Sequence, residues 1–171
     1  FNEGYSATAG ADLVRRNLCT EAIRLARTLA DLMPDEPEAV GLLALMLLHD
    51  APRDGRIDNE GNLMPLEEQD RRRWHGDVIA EATTLLEQAL RRGQPGPYQV
   101  QAAIAAVHDR APTAADTDWE EILTLYGLLE DVTGNPVVTL NRAVAVAMAR
   151  GPRAAIDVVD EVEDRLGTTP R

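Results

Sequence analysis

The chain has 171 residues, 44% of them apolar and 4% aromatic, with 29 acidic against 17 basic side chains and a formal net charge of −12. That length holds one domain with a real core, and the apolar fraction excludes a disordered chain. The negative excess repels a phosphate backbone at long range, which argues against direct nucleic-acid binding by this segment.

Alanine and leucine recur while aromatic residues are scarce, a balance that favours packed helices over sheet. The single cysteine, Cys19, excludes an internal disulfide and a cysteine-based zinc cluster, and it reads as a small buried hydrophobe. Nothing resembles a signal peptide, and no apolar run approaches the ~18 to 20 residues that a membrane span requires. A cytoplasmic location without membrane contact is expected. The chain opens on Phe1 inside a motif-like phrase, so it is expected to be a fragment of something longer.

In chain order, apolar residues at Leu18, Ala22, Leu25, Ala26, Leu29 and Met33 form one stripe of helical period, predicting a helix from Asp12 to Met33. Pro34 and Pro37 end it and start a second helix over Glu38 to His49. This one is apolar nearly all round and is expected at the centre of the fold. Residues 54–65 carry the turn chemistry of a small hairpin-like excursion, with Gly61 suited to close it. A short helical turn over Glu67 to Trp74 should follow. Helices are then predicted over Asp77 to Arg92 and Tyr98 to Arg110, separated by Gly93 to Pro97. Thr117-Asp118-Trp119-Glu120 is a helix-start signal. Asn135-Pro136 begins a partner helix to Arg150, and a last helix runs to about Leu166.

Short turns between helices of similar length predict antiparallel packing of neighbours. The run from Ala22 to Leu32, then Pro34 and Pro37-Glu38-Ala39, follows the tetratricopeptide pattern, and Trp119, Ile122, Leu123 and Tyr126 echo its bulky half. The echoes lie off the regular period. The expected fold is therefore all-α, a single domain over 1–171 of stacked antiparallel helical hairpins, TPR-like but degenerate.

Several constellations bear on chemistry. His49-Asp50, His75 with Asp77, and His108-Asp109 resemble the pairs of metal-dependent HD-type phosphohydrolases, where imidazoles and carboxylates converge on a metal. Against that, His49 and His108 fall in the last turns of helices, where the dipole favours positive charge. Read from Arg56, the loop places Asp58, Glu60, Gly61, Leu63 and Glu67 at calcium-loop offsets, but Arg56 stands where a carboxylate is needed. No glycine-rich phosphate loop and no nucleophile elbow appear. Arg71-Arg72-Arg73, flanked by Glu67, Glu68 and Asp70, reads as a locally paired helix face. Trp119, Ile122 and Tyr126 read as core. Tyr98, Gln99 and Gln101, after the rigid Gly96-Pro97, could bind extended peptide backbone or bridge neighbouring turns, and both readings stand open. No catalytic residue, metal or cofactor is expected.

A set of phrases spread over nearly the whole chain resembles one family. They are Phe1-Asn2-Glu3-Gly4-Tyr5, Glu21-Ala22-Ile23-Arg24-Leu25, Pro37-Glu38, Gly41 through His49, and Gln69-Asp70-Arg71 with Trp74. Gly96-Pro97-Tyr98-Gln99, Gln101 through Ala106, Thr117-Asp118-Trp119 and Leu140-Asn141-Arg142-Ala143-Val144-Ala145 complete the set. Together they resemble the TPR-like C-terminal extension of a group of bacterial ECF-type sigma factors. His75 departs from that pattern, which would have an acidic residue after the tryptophan. The resemblance implies a non-catalytic role in transcription initiation through contacts with the sigma regions, RNA polymerase or a regulatory protein. Promoter DNA would be read only by upstream regions two and four, which are absent here, and no small-molecule substrate is implied. The motif residues Asn2, Glu3, Tyr5, Asp70, Arg71, Trp74, Tyr98, Gln99, Gln101, Trp119, Asn141 and Arg142 become the candidate interaction residues. A free-standing peptide-binding scaffold is the alternative of another kind.

Overall fold

The computed structural model describes residues 16–58, 60 and 62–167. Asn2, Glu3 and Tyr5 lie outside the described residues. Among those described, the protein is all-α, with seven α-helices and no strand. These are α1 (Arg16–Leu32), α2 (Pro37–Asp50), α3 (Gly76–Leu90), α4 (Pro97–Arg110), α5 (Trp119–Thr133), α6 (Pro136–Arg150) and α7 (Pro152–Gly167). None is long and apolar enough to cross a membrane. Where the sequence suggests one domain, the chain divides into two compact units, Phe1–Asp116 and Thr117–Arg171.

In the first unit α2 is the hub, packing against α1, α3 and α4. Pro37 occupies its first turn, where no backbone donor is needed, and the Glu36 side chain accepts from the Glu38 N–H at 3.2 Å. Leu43, Leu47 and Leu48 of α2 meet Ala26, Ala82, Leu86 and Ala102 from the three surrounding helices. Ala44, Ala82 and Ala102 are fully buried. Their small side chains let helix axes approach closely while the leucines fill the space beside them.

The buried face of α1 takes in only part of the expected stripe, Ala26 with the half-buried Leu18 and Ala22. Leu25, Leu29 and Met33 are 53%, 39% and 44% exposed, whereas Cys19 and Ala26 are buried, with Ala22, Ile23 and Ala30 partly so. Both ridges have helical period, but they lie roughly a quarter turn apart. Contact with α2 selects the ridge of smaller residues, because that one permits the closer approach.

Residues 51–75 link α2 to α3 without an α-helix. A 3₁₀ turn over Ala51–Asp54 leads into the expected hairpin, where Ile57 and Leu63 pair antiparallel. The helical turn expected over Glu67 to Trp74 is instead two 3₁₀ turns, Leu66–Glu68 and Arg71–Arg73.

In the second unit α6 packs against both α5 and α7. Asp118 caps α5 by accepting from the Glu121 N–H at 2.9 Å, and Asn135 caps α6 through the Val137 N–H at 3.0 Å. Between them Gly134, at φ 59°, takes the left-handed conformation that ends α5. Ile122, Leu123, Leu129, Val138, Ala145 and Val146 are buried, and Trp119 and Tyr126 are mostly so.

Leu48→Ala, in the centre of the first unit, should lower unfolding free energy by about 2–5 kcal/mol. Leu25→Ala, on the exposed ridge of α1, should change it by less than about 1 kcal/mol. Urea titrations followed by circular dichroism distinguish these; equal losses would place Leu25 in the core.

Candidate interaction site

The first polar cluster sits where α2 and α4 begin. An α-helix starts with donors that have no partner of their own. At α4 the Glu38 carboxylate supplies the acceptors, taking the N–H groups of Tyr98 (2.9 Å) and Gln99 (3.1 Å) and the Gln99 side-chain amide (3.0 Å). Gln99 also donates to the carbonyl of Gln94 at 2.9 Å. Two glycines make this possible. A Cβ on Gly96 would collide with the Glu38 carboxylate, and one on Gly41 would lie 2.7 Å from Gln99 Cγ and 2.9 Å from its backbone nitrogen. Placing a carboxylate at the positive end of α4 adds a favourable dipole interaction.

Gln99 has no exposed surface, so it bridges neighbouring turns and does not face a partner. Gln101 donates to the carbonyl of Pro97 at 3.2 Å, a bond within its own helix. Tyr98 is 44% exposed. Of these three, only Tyr98 presents a sizeable side chain to a ligand.

The second cluster brings together Asp70, Arg71 and Trp74. The arginine run is not one paired helix face, as the sequence suggests, because a 3₁₀ turn sends its members in different directions. Asp70 accepts from the Arg72 backbone N–H (3.1 Å) and from its guanidinium twice (both 2.9 Å). Arg71 turns inward instead. It donates to the carbonyls of His108 and Ala111, the latter at 2.7 Å, and stacks 4.6 Å from the centre of the Trp74 ring. It thereby caps the C-terminal end of α4, where carbonyls lack helical partners.

Trp74 is buried over Gly55, where a Cβ would stand 2.9 Å from the indole nitrogen. His75 supplies two further ties, its N–H to the carbonyl of Ala51 (3.1 Å) and its Nε2 to Asp54 Oδ2 (2.8 Å). His75 is therefore joined to a carboxylate elsewhere in the loop.

Beside this cluster lies an open cleft of about 580 Å³, lined by Glu67, Gln69 to Arg72 and Trp74, by Gly76 and Ile79 of α3, and by Asp109 to Ala114. Burial raises the Asp109 carboxyl to about 7, an effect that the Arg71 cation partly offsets. Burial lowers His49 and His108 below the usual histidine range, with smaller contributions from nearby arginines. Burial also lowers Arg71.

The three histidines do not build a metal centre with the aspartates. Among the described residues no group of three or more His, Cys, Asp or Glu side chains is placed to hold a metal ion. In the hairpin, Asp58 directs its carboxylate at its own loop, accepting from the N–H groups of Glu60 and Asn62 (both 2.8 Å) and the Asn62 amide (3.0 Å). Gly61 lies outside the described residues.

The remaining candidates belong to the second unit. Trp119 opens α5 and is mostly buried. Arg142 forms an ion pair with Glu130 at 2.8 Å, linking α6 to α5, while Asn141 is exposed beside it. Asn141 lies within an apolar ridge of α6, where Val137, Leu140, Val144 and Met148 are 57%, 42%, 60% and 53% exposed.

Residues 1–90 match the family of unknown function DUF6596, and the chain belongs to that family. An uncharacterized protein of Rhizobium meliloti (strain 1021) is 52% identical over 166 residues, a match covering 97% of this chain and 39% of that protein. The chain thus spans about two fifths of the length of the curated relative it matches. No solved structure matches the chain.

Glu38→Ala should destabilise the protein by about 2–3 kcal/mol, since three donors lose a charged acceptor and two of them belong to the buried Gln99. Gly41→Ala should cost about 1–3 kcal/mol by forcing the backbone of α4 away. Chemical denaturation reads both; a neutral Gly41→Ala would mean that the helices do not approach as closely as described.

Proposed function

We propose that this chain is the non-catalytic regulatory domain of an ECF-type sigma factor, acting in transcription initiation through protein contacts. The observation that carries this reading is the ridge Val137, Leu140, Val144 and Met148. It runs along three turns of α6, opposite the face that packs into the second unit. A large apolar ridge on a helix whose other side is already packed has the character of a docking surface. Leu25, Leu29, Leu32 and Met33 give α1 a second such ridge.

Two further points support the reading. The polar clusters that could have been chemical sites are committed to holding helix ends together, as the bonds of Glu38 and Arg71 illustrate. The net charge of −12 complements the basic surfaces of promoter-binding regions and not DNA itself. The similar Rhizobium protein extends well beyond the matched part, which leaves room for two such regions in a chain of that kind. A cytoplasmic location accompanies this role.

The test is a binding assay of this domain against its own sigma regions and against core RNA polymerase, with transcription measured from a truncated sigma factor. Binding to one of these is expected. Val144→Glu with Met148→Glu should weaken it at least about tenfold, since a charge in an apolar contact is costly, while the thermal midpoint stays nearly unchanged. Absence of binding to both, with full transcription from the truncated factor, would remove the proposal.

A further inference from the structure

We propose that Leu66–His75 is a clasp that opens and closes over the C-terminal end of α4 while the helices beneath stay folded, with Asp109 setting its balance. The inference rests on the geometry of the first unit alone and requires nothing from the role in transcription.

The clasp is fastened at a few points and bridged by little else. Its own structure is two single 3₁₀ turns. It is tied down by Arg71 on the carbonyls of His108 and Ala111, by the His75 N–H on Ala51, by His75 on Asp54, and by Trp74 seated on Gly55. Leu66 is 39% exposed, and Glu67, Glu68, Arg72 and Arg73 are exposed. The 580 Å³ cleft runs between the clasp and Asp109–Ala114, so one side of the seat is open. Segments with few buried apolar contacts and bonds near solvent are those that open locally.

The seat is also incompletely satisfied. Gln69 Oε1, Arg71 Nη2, Trp74 Nε1 and Asp109 Oδ2 are all buried without a hydrogen-bond partner among the described residues. Buried polar atoms in folded proteins are nearly always bonded, and each exception calls for a physical reason. These four atoms belong to residues along the open cleft, and opening would give all four freely to water. At the α2–α4 lock, where Glu38 satisfies the donors, one acceptor, Gln99 Oε1, is left in the same way.

Asp109 makes the balance depend on pH. Closed, its carboxyl titrates at about 7. Open, it should return to about 3.9, the ordinary aspartate value. The proton therefore stabilises the closed state: its full contribution is present below about 4 and is lost as pH rises towards 7. His108 and His49 act in the other sense. Their closed-state values are lowered by burial, so protonation below about 6.5 favours whichever state exposes them. The remaining charges at the seat are Glu67, Asp70, Arg71 and Arg72 of the clasp and Arg110 of α4, while Asp116 acts on Arg71 from the following turn.

Amide hydrogen exchange on the 171-residue chain tests this, with rates corrected for intrinsic pH dependence. Residues 73–75 report the clasp and residues 43–48 of α2 report the core. The clasp amides should exchange through openings far more frequent than those of α2. Asp109→Asn keeps the shape of the neutral acid without its proton. From pH 5 to 7 the wild-type clasp should open progressively more than the variant, by up to about tenfold per pH unit. Trp74 fluorescence in a Trp119→Phe background gives an independent reading. Exchange of residues 73–75 only together with residues 43–48 would overturn the clasp. The same pH profile for wild type and Asp109→Asn would overturn the part assigned to Asp109.

Discussion

The bonds of one carboxylate, Glu38, hold the first turn of α4 against the first turn of α2. A helix of 14 residues is too short to be stable alone in water, so α4 depends on neighbours for its existence. Glu38 meets that need at one end by satisfying orphan donors, while Arg71 meets it at the other by covering the last carbonyls. Between these two fastenings the alanine faces of α2, α3 and α4 come together. The first unit therefore follows from polar groups that fix the ends and small apolar groups that fill the middle.

The second unit reaches a similar result by other means. Its caps are local, from Asp118 and Asn135 acting on their own helices, and Gly134 makes the turn between them. Its long-range polar ties include the ion pairs Arg142–Glu130 and Arg150–Glu120, the latter between exposed groups and of little energetic weight. Apolar contact of α6 with α5 and α7 supplies the rest.

The helices were legible in the sequence because proline, glycine and capping residues mark their ends, and most predicted boundaries fall within two residues of the observed ones. The burial of α1 was only partly legible, through Ala22 and Ala26. Its two ridges share one period, and only the partner helix decides between them. The arginine run departs from its expected paired face for a related reason, since a helical turn and a 3₁₀ turn send consecutive side chains in different directions. Glu38, Gly96 and Gly55 were the hardest to assign, because each acts on a residue distant in sequence. The sequence left open whether Gln99 binds a peptide or bridges neighbouring turns, because the acceptor that decides it, Glu38, is 61 residues away.

The outward ridges of α1 and α6 carry a cost in solution behaviour. Apolar strips on two helices attract other copies of the chain, and mutual repulsion of excess carboxylates keeps those copies apart at neutral pH. That repulsion vanishes near the isoelectric point, pH 4.6. Acidification would therefore favour colloidal association, and added salt, by screening the same charges, would shift its onset to milder conditions.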